Sequence, residues 1–319
     1  MTLKFRYLTA AAAMAALSAL SATAETRVTY KSAKSTSSYY QMAVQIAEAM
    51  ENASDGEISV TVEESQGSVQ NVMEVRARGG DYVFTTPPVL VKLAKDGKAM
   101  FDGKGDPAFD GIRALFPIPS LTMHFVMSAD SGAASFEDLK GKTILLGKGS
   151  FGAREGEKYL ELFGVKDEVS IADVELSNAV PALKNGQIDG FVTAGSWPAP
   201  NVVEAAASTG VNVLSLTEAQ IEETGRTKLV IPAGTYAGQD ADIVTTSLPV
   251  VAYTTTKMDD ETAYSLTKTY WDQKSNMAEG AKWWAGVDEG LMSNITGQIH
   301  PGAVRYYEEA GFDLTDAQK

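Results

Sequence analysis

Short runs rich in β-branched residues alternate with segments of helical period along nearly all of this chain, and that rhythm is its tightest structural constraint. Val28 to Lys31 reads as a strand, followed by the polar turn Ser35-Thr36-Ser37-Ser38. A helix then carries Tyr40, Ala43, Val44, Ala47 and Met50 on one stripe. Ile58, Val60 and Val62 alternate as a second strand, and Gly67-Ser68 opens a helix that turns Val69, Val72 and Met73 inward. Tyr82 to Thr85 forms a third strand, stopped by Pro87-Pro88. Such βαβ alternation implies an α/β fold with mainly parallel sheet and helices on both faces.

The rhythm breaks near Pro117 to Val126 and then restarts. Thr143 to Leu146 is expected as a strand, Gly147 to Gly152 as a loop, Glu155 to Phe163 as a helix, and Ile188 to Val192 and Val211 to Leu214 as further strands. Leu248 to Thr254 reads as a return crossover, after which helices dominate. Two α/β lobes with separate, mainly parallel sheets are therefore expected, joined by two crossover strands with a ligand cleft between them. Residues 25–126 plus 254–319 would form the first, discontinuous lobe and residues 127–253 the second. Each is long enough for its own core. Asp102 to Gly111 reads as a glycine-rich loop.

The N-terminus has the form of an export signal over residues 1–24. Lys4 and Arg6 precede an apolar, alanine-rich run from Leu8 to Leu20, and Ala22-Thr23-Ala24 offers small residues for cleavage before Glu25. The apolar run is too short for a membrane span. The chain has no cysteine, so stability must come from burial and a lipid-linked cysteine anchor is excluded. A soluble protein of a Gram-negative periplasm, acting as a monomer, is the expectation. A formal charge of -14 argues against nucleic acid or an anionic membrane as partner.

Three loop-to-helix junctions are small and polar: Ser35 to Tyr40, Gly67 to Asn71, and Gly149 to Arg154. A helix N-terminus presents unpaired N–H groups to an anion. Serine at any one of them reads first as a cap; three together suggest a site at the carboxyl ends of the strands. Arg154 reads equally as a partner for a ligand carboxylate or as an exposed residue paired with Glu157 or Glu161. Tyr39, Trp197 and Tyr236 are candidate aromatic walls. The stretch IPAGTYAGQDAD, from Ile231 to Asp242, is a constrained loop in which Gly234 and Gly238 permit backbone angles closed to other residues. Asp240 and Asp242 within it read as turn caps before they read as cation ligands.

Catalytic readings fail on the residues. Lys148 occupies the first glycine position that a nucleophile elbow around Ser150 would need. His124 and His300 stand far apart without a nucleophile motif, and no H-E-x-x-H or cysteine cluster offers zinc. Asp102, Asp106 and Asp110 do not follow a calcium-loop spacing. No enzyme activity, cofactor or metal is expected.

With these elements in place, the sequence resembles the TAXI solute-binding proteins of TRAP transporters. IPAGTYAGQDAD is similar to that family's signature. The tyrosine pair Tyr39-Tyr40, the helix start Gly67-Ser68-Val69-Gln70-Asn71, the turn Asp138 to Lys142, Ala182 through Asp189 and His300 through Tyr307 follow in the family's order. The resemblance implies a type II periplasmic-binding-protein fold that closes over a small organic acid or amino acid and delivers it to an ion-gradient-driven permease. It nominates Tyr39, Ser68, Asn71, Ser150 and Gly152 for ligand binding. Three departures fall beside them: a serine-rich entry at Ser38, Thr85-Thr86 at the end of the third strand, and the altered loop Ser150-Phe151-Gly152-Ala153. They suggest a bulkier or less polar acid, in contact with Phe151 and Trp197. A sensing subunit for a membrane receptor and a binding protein for an ATP-driven importer are the alternatives, and a periplasmic hydrolase is the disfavoured third class.

Overall fold

The computed structural model describes residues 26–148 and 150–319; the proposed export signal and Gly149 lie outside the described residues. The first half of the chain lays down β1 (Thr26–Lys31), α1 (Ser38–Ala53), β2 (Ile58–Glu63), α2 (Ser68–Glu74), β3 (Tyr82–Thr86) and α3 (Pro88–Lys95) before the long β4 (Ile112–Ser128). There follow β5 (Thr143–Leu145), α4 (Phe151–Leu162), β6 (Ser170–Ala172), α5 (Ala179–Lys184), β7 (Gly190–Gly195), α6 (Pro200–Thr209), β8 (Val211–Val213), α7 (Glu218–Thr224) and β9 (Thr227–Ile231). The chain ends with β10 (Ile243–Thr255), α8 (Asp260–Gly280) and α9 (Pro301–Ala310).

The expectation of two separate sheets needs correction. Among the described residues ten strands form one curled mixed sheet, with the order β2-β1-β3-β10-β4-β7-β5-β6, β8 beside β4 and β9 beside β10. The reason is strand length. β4 has 17 residues and β10 has 13, and they pair with each other antiparallel from Ile112↔Thr255 to Thr122↔Ser247. One end of this ribbon meets β3, while the other meets β7, β8 and β9. The parallel pairs β1–β2, β1–β3, β5–β6 and β5–β7 flank it on either side. The ladder slips between Leu248 and Val250, beside Pro119 and Pro249, whose missing N–H groups cannot continue it.

Packing follows the sheet. One apolar cluster fills the first half of the molecule and continues under the second through Phe125, Phe136 and Tyr159. Another lies on the opposite face of the second half, around Phe191, Val202, Ile231 and Tyr236. The C-terminal segment is tied in by particular contacts. His300 caps α9 by accepting from the Gly302 N–H, and a side chain at Gly302 would meet the Asp260 carbonyl oxygen at 2.0 Å. Tyr307 then donates to the Leu115 carbonyl at 2.8 Å. These bonds give the motif from His300 to Tyr307 a packing role.

Candidate functional site

Between the two halves lies a cavity of about 70 Å³, at the carboxyl ends of β1, β3 and β5. Its floor and sides are largely carbon, from Leu121, Leu146, Phe151, Val192 and Val250. Polar groups come from the turn after β1 (Ser32, Lys34, Thr36, Ser37), from Gln66 and Ser68 at the start of α2, from Thr85 at the end of β3, and from Ser150 at the start of α4. This placement is the ordinary consequence of βα units, whose turns all open at the same sheet edge.

Several of these groups are already engaged. Ser37 caps α1 by accepting from the Tyr39 N–H, and Ser150 caps α4 by accepting from Ala153 N–H at 2.9 Å. The Ser150 hydroxyl also donates to the Gly147 carbonyl. Thr85 donates to the Tyr30 hydroxyl at 3.0 Å. Tyr39 donates to the Pro119 carbonyl at 2.9 Å, fixing the crossover strand, and burial pushes its hydroxyl pKa well up. The Ser68 hydroxyl has no hydrogen-bond partner among the described residues. Gly152 packs so tightly on β7 that an added Cβ would stand 2.7 Å from the Ala194 Cβ.

At the mouth the two halves meet through charge. Lys34 Nζ lies 3.8 Å from Glu175 Oε2. With the Gln66 amide oriented to satisfy its neighbours, its nitrogen donates to Glu175 Oε2 at 2.8 Å and its oxygen accepts from Lys34 Nζ at 3.1 Å. Lys148 turns to Asp173, 2.8 Å away. A further bridge between the halves runs from the Ser196 N–H to Ser38 Oγ at 2.9 Å.

Of the expected site residues, Tyr39, Ser68, Thr85, Ser150, Phe151 and Gly152 line this cavity. Seven others sit elsewhere. Ser38 is the buried bridge just described. Asn71 is wholly buried and donates to the Ser32 and Thr85 carbonyls at 2.7 and 2.9 Å, tying β1 to β3. Thr86 is buried in the sheet. Ala153 and Arg154 lie with Glu157 and Asp173 on a groove that adjoins the cavity through Leu146, Gly147, Lys148 and Ser150, and Arg154 is exposed. Trp197 packs against the second core cluster.

Tyr236 also belongs to that cluster, on the opposite face of the sheet. Its hydroxyl lies 2.8 Å from His124 Nε2 and accepts from the Ala199 N–H at 3.0 Å. His124 Nδ1 faces the Thr122 carbonyl at 3.2 Å, an acceptor, so that nitrogen carries the proton and Nε2 accepts from Tyr236. Burial holds the His124 pKa down at about 4. The rest of the glycine-rich loop binds itself. Gln239 donates to the Pro232 and Ala241 carbonyls and accepts from the Tyr236 N–H, while Asp242 accepts from the Ala233 N–H.

Lys34, Gln66, Lys148 and Glu175 were not foreseen as cavity residues. Lys34 and Gln66 carried a signal, since each stands in a turn that follows a strand in a βα unit. Glu175 carried none, because tertiary structure alone brings it across from the second half. Among the described residues there is no group of three or more acids or histidines placed to hold a metal ion, and no helix long and apolar enough to cross a membrane.

The NMT1-like family matches this chain over residues 31–311. The chain belongs to the NMT1-like family. This NMT1-like chain also overlays the periplasmic binding protein BugD with a TM-score of 0.54, at 11% identity, over 91% of this chain and 99% of that one. A protein of Bordetella bronchiseptica RB50 gives 0.51 at 18% identity, covering 92% and 84% respectively. A TRAP periplasmic solute-binding protein of Actinobacillus succinogenes 130Z, with bound L-galactonate, fits more loosely, at 0.43 with 15% identity over 91% and 88%. At such identities the likeness establishes the fold, that of the periplasmic binding proteins.

Proposed function

We propose that this protein captures a small organic monoanion in the cavity between its two halves and hands it to a TRAP-type, ion-gradient-driven permease in the periplasm. The observation that carries the ligand class is the cavity itself: carbon walls, hydroxyls and helix starts, and no acidic side chain except Glu175 at the rim. Donors rather than a buried cation would hold the anion. Micromolar affinity needs about 8 kcal/mol, and a hydrogen bond to a charged group contributes about 1.5–3 kcal/mol. Three or four such bonds with an apolar wall suffice after association entropy is counted.

The lining favours a less polar ligand, through Phe151 but not Trp197. The two halves act as lobes, and the division falls within β4 and β10 at the slip beside Pro119 and Pro249. Bonds such as Ser38–Ser196 then form on closure, and a ligand touching both lobes shifts the population toward the closed state. The TRAP assignment rests on the order of motifs shared with TAXI proteins, and the periplasmic location on the N-terminal signal. A thermal-shift screen of short carboxylic acids and amino acids tests the capture step, because a ligand that binds only the folded state raises Tm. A short monocarboxylate should give the largest shift. If only cations or sugars shift Tm, the anion reading is wrong.

A further inference from the structure

We infer that Glu175 is a specificity-determining residue that makes the site reject dicarboxylates, an inference that rests on the carboxylate reading of the cavity. Glu175 enters from the second half and lines the same cavity as Lys34 and Gln66 from the first. Its carboxylate takes the Gln66 amide N–H at 2.8 Å and stands 3.8 Å from Lys34 Nζ, while the Gln66 oxygen accepts from that same Nζ at 3.1 Å. Lys34 and Gln66 together are the cation and donor that the far carboxylate of a ligand would seek. The protein's own carboxylate fills that place.

The alternative role, a latch that holds the halves shut, is weak on physical grounds. The Lys34 and Glu175 side chains are 31% and 38% exposed, and ion pairs so exposed contribute little to stability. Opposing a ligand charge is a different matter. A second carboxylate arriving here would displace Glu175 from its donors or sit against it, like charge on like charge. Discrimination of this kind comes from a repulsive group as much as from attractive ones. Lys148 offers no substitute, since it is turned to Asp173 at 2.8 Å.

The test is calorimetric titration of matched pairs, propionate with succinate and butyrate with glutarate, on wild-type protein, Glu175→Gln, Glu175→Ala and the double variant Glu175→Gln/Lys34→Ala. Wild type should bind the tighter monocarboxylate at least tenfold better than its dicarboxylate partner. Glu175→Gln should shrink that ratio about tenfold, equal to roughly 1.4 kcal/mol, by raising dicarboxylate affinity. Glu175→Ala should do the same, and removing Lys34 as well should abolish the gain. Equal weakening of both members by Glu175→Gln would make Glu175 a closure contact only and overturn the inference while leaving the carboxylate reading intact. Wild type binding dicarboxylates as tightly would overturn it too. If no acid of either kind binds wild type, the carboxylate reading fails first and takes the inference with it.

Discussion

Two polar regions of this protein, the loop at residues 231–242 and the turns around the cavity, differ in where their hydrogen bonds leave a group free. The loop at residues 231–242 bonds within itself through Gln239 and Asp242 and is anchored to β4 by the Tyr236–His124 pair. The turns around the cavity keep groups facing a void, among them the Ser68 hydroxyl at the start of α2. On the proposed reading, the loop that resembles a family signature is structural, and the ligand is read by less distinctive residues. The difference is one of satisfaction: Gln239, Asp242 and Tyr236 are held by partners that fix the loop's shape, whereas the Ser68 hydroxyl has none among the described residues.

The sharpest way to break this contrast is by acid. His124 is neutral in the fold, with its pKa depressed by burial to about 4 from an ordinary 6.5. A base whose folded pKa is depressed contributes stability that is present above the unfolded pKa and lost as pH falls through the folded one. The window is thus about pH 6.5 down to 4, and the full loss is on the order of 3 kcal/mol. His300, whose pKa burial also lowers, adds in the same direction. Urea midpoints measured across that range should fall with acid, and His124→Gln should flatten the slope; an unchanged slope would mean the buried pair does not hold the loop.

Tyr236→Phe attacks the same anchor at neutral pH. It leaves His124 Nε2 and the Ala199 N–H buried without their partner, at a cost of about 2–3 kcal/mol. Ligand affinity of the folded variant should stay within twofold of wild type. Ser150→Ala works on the other region. Loss of the α4 cap costs about 1 kcal/mol, seen as a small drop in urea midpoint, and the disturbed helix start should weaken ligand binding severalfold. The smallest effect belongs to Arg154→Ala. Exposed and outside the cavity, it should change stability by no more than about 0.5 kcal/mol and leave affinity unaltered, whereas a tenfold loss would return Arg154 to the site.

Periodicity made α1 legible as a helix, although the buried stripe is Tyr39, Met42, Ala43, Ile46 and Met50 and leaves Tyr40, Val44 and Ala47 only partly covered. β3 is buried at every position and was legible by its β-branched and aromatic run instead. Neither pattern could show that β4 and β10 run unbroken through both halves, because pairing across a sheet is not written in either strand alone. Part of the cavity lining was legible too, where a turn follows a strand, through Tyr39, Ser68, Thr85, Ser150, Phe151 and Gly152. An aromatic in a glycine-rich loop reads the same whether it faces a cavity or a core, and the packing of Tyr236 on His124, 112 residues away in sequence, was not visible in the loop itself. Glu175 was silent for the same reason in reverse.

The most direct test of the claim that the cavity, and not the signature loop, reads the solute is one paired titration. A short monocarboxylate found in the thermal screen is titrated by calorimetry into wild type, Ser68→Ala and Tyr236→Phe at a temperature where all three are folded. Removing one hydrogen bond to a charged ligand, worth about 1.5–3 kcal/mol, should weaken binding by Ser68→Ala at least tenfold and leave Tyr236→Phe unchanged. Loss of binding in folded Tyr236→Phe with full affinity in Ser68→Ala would contradict it.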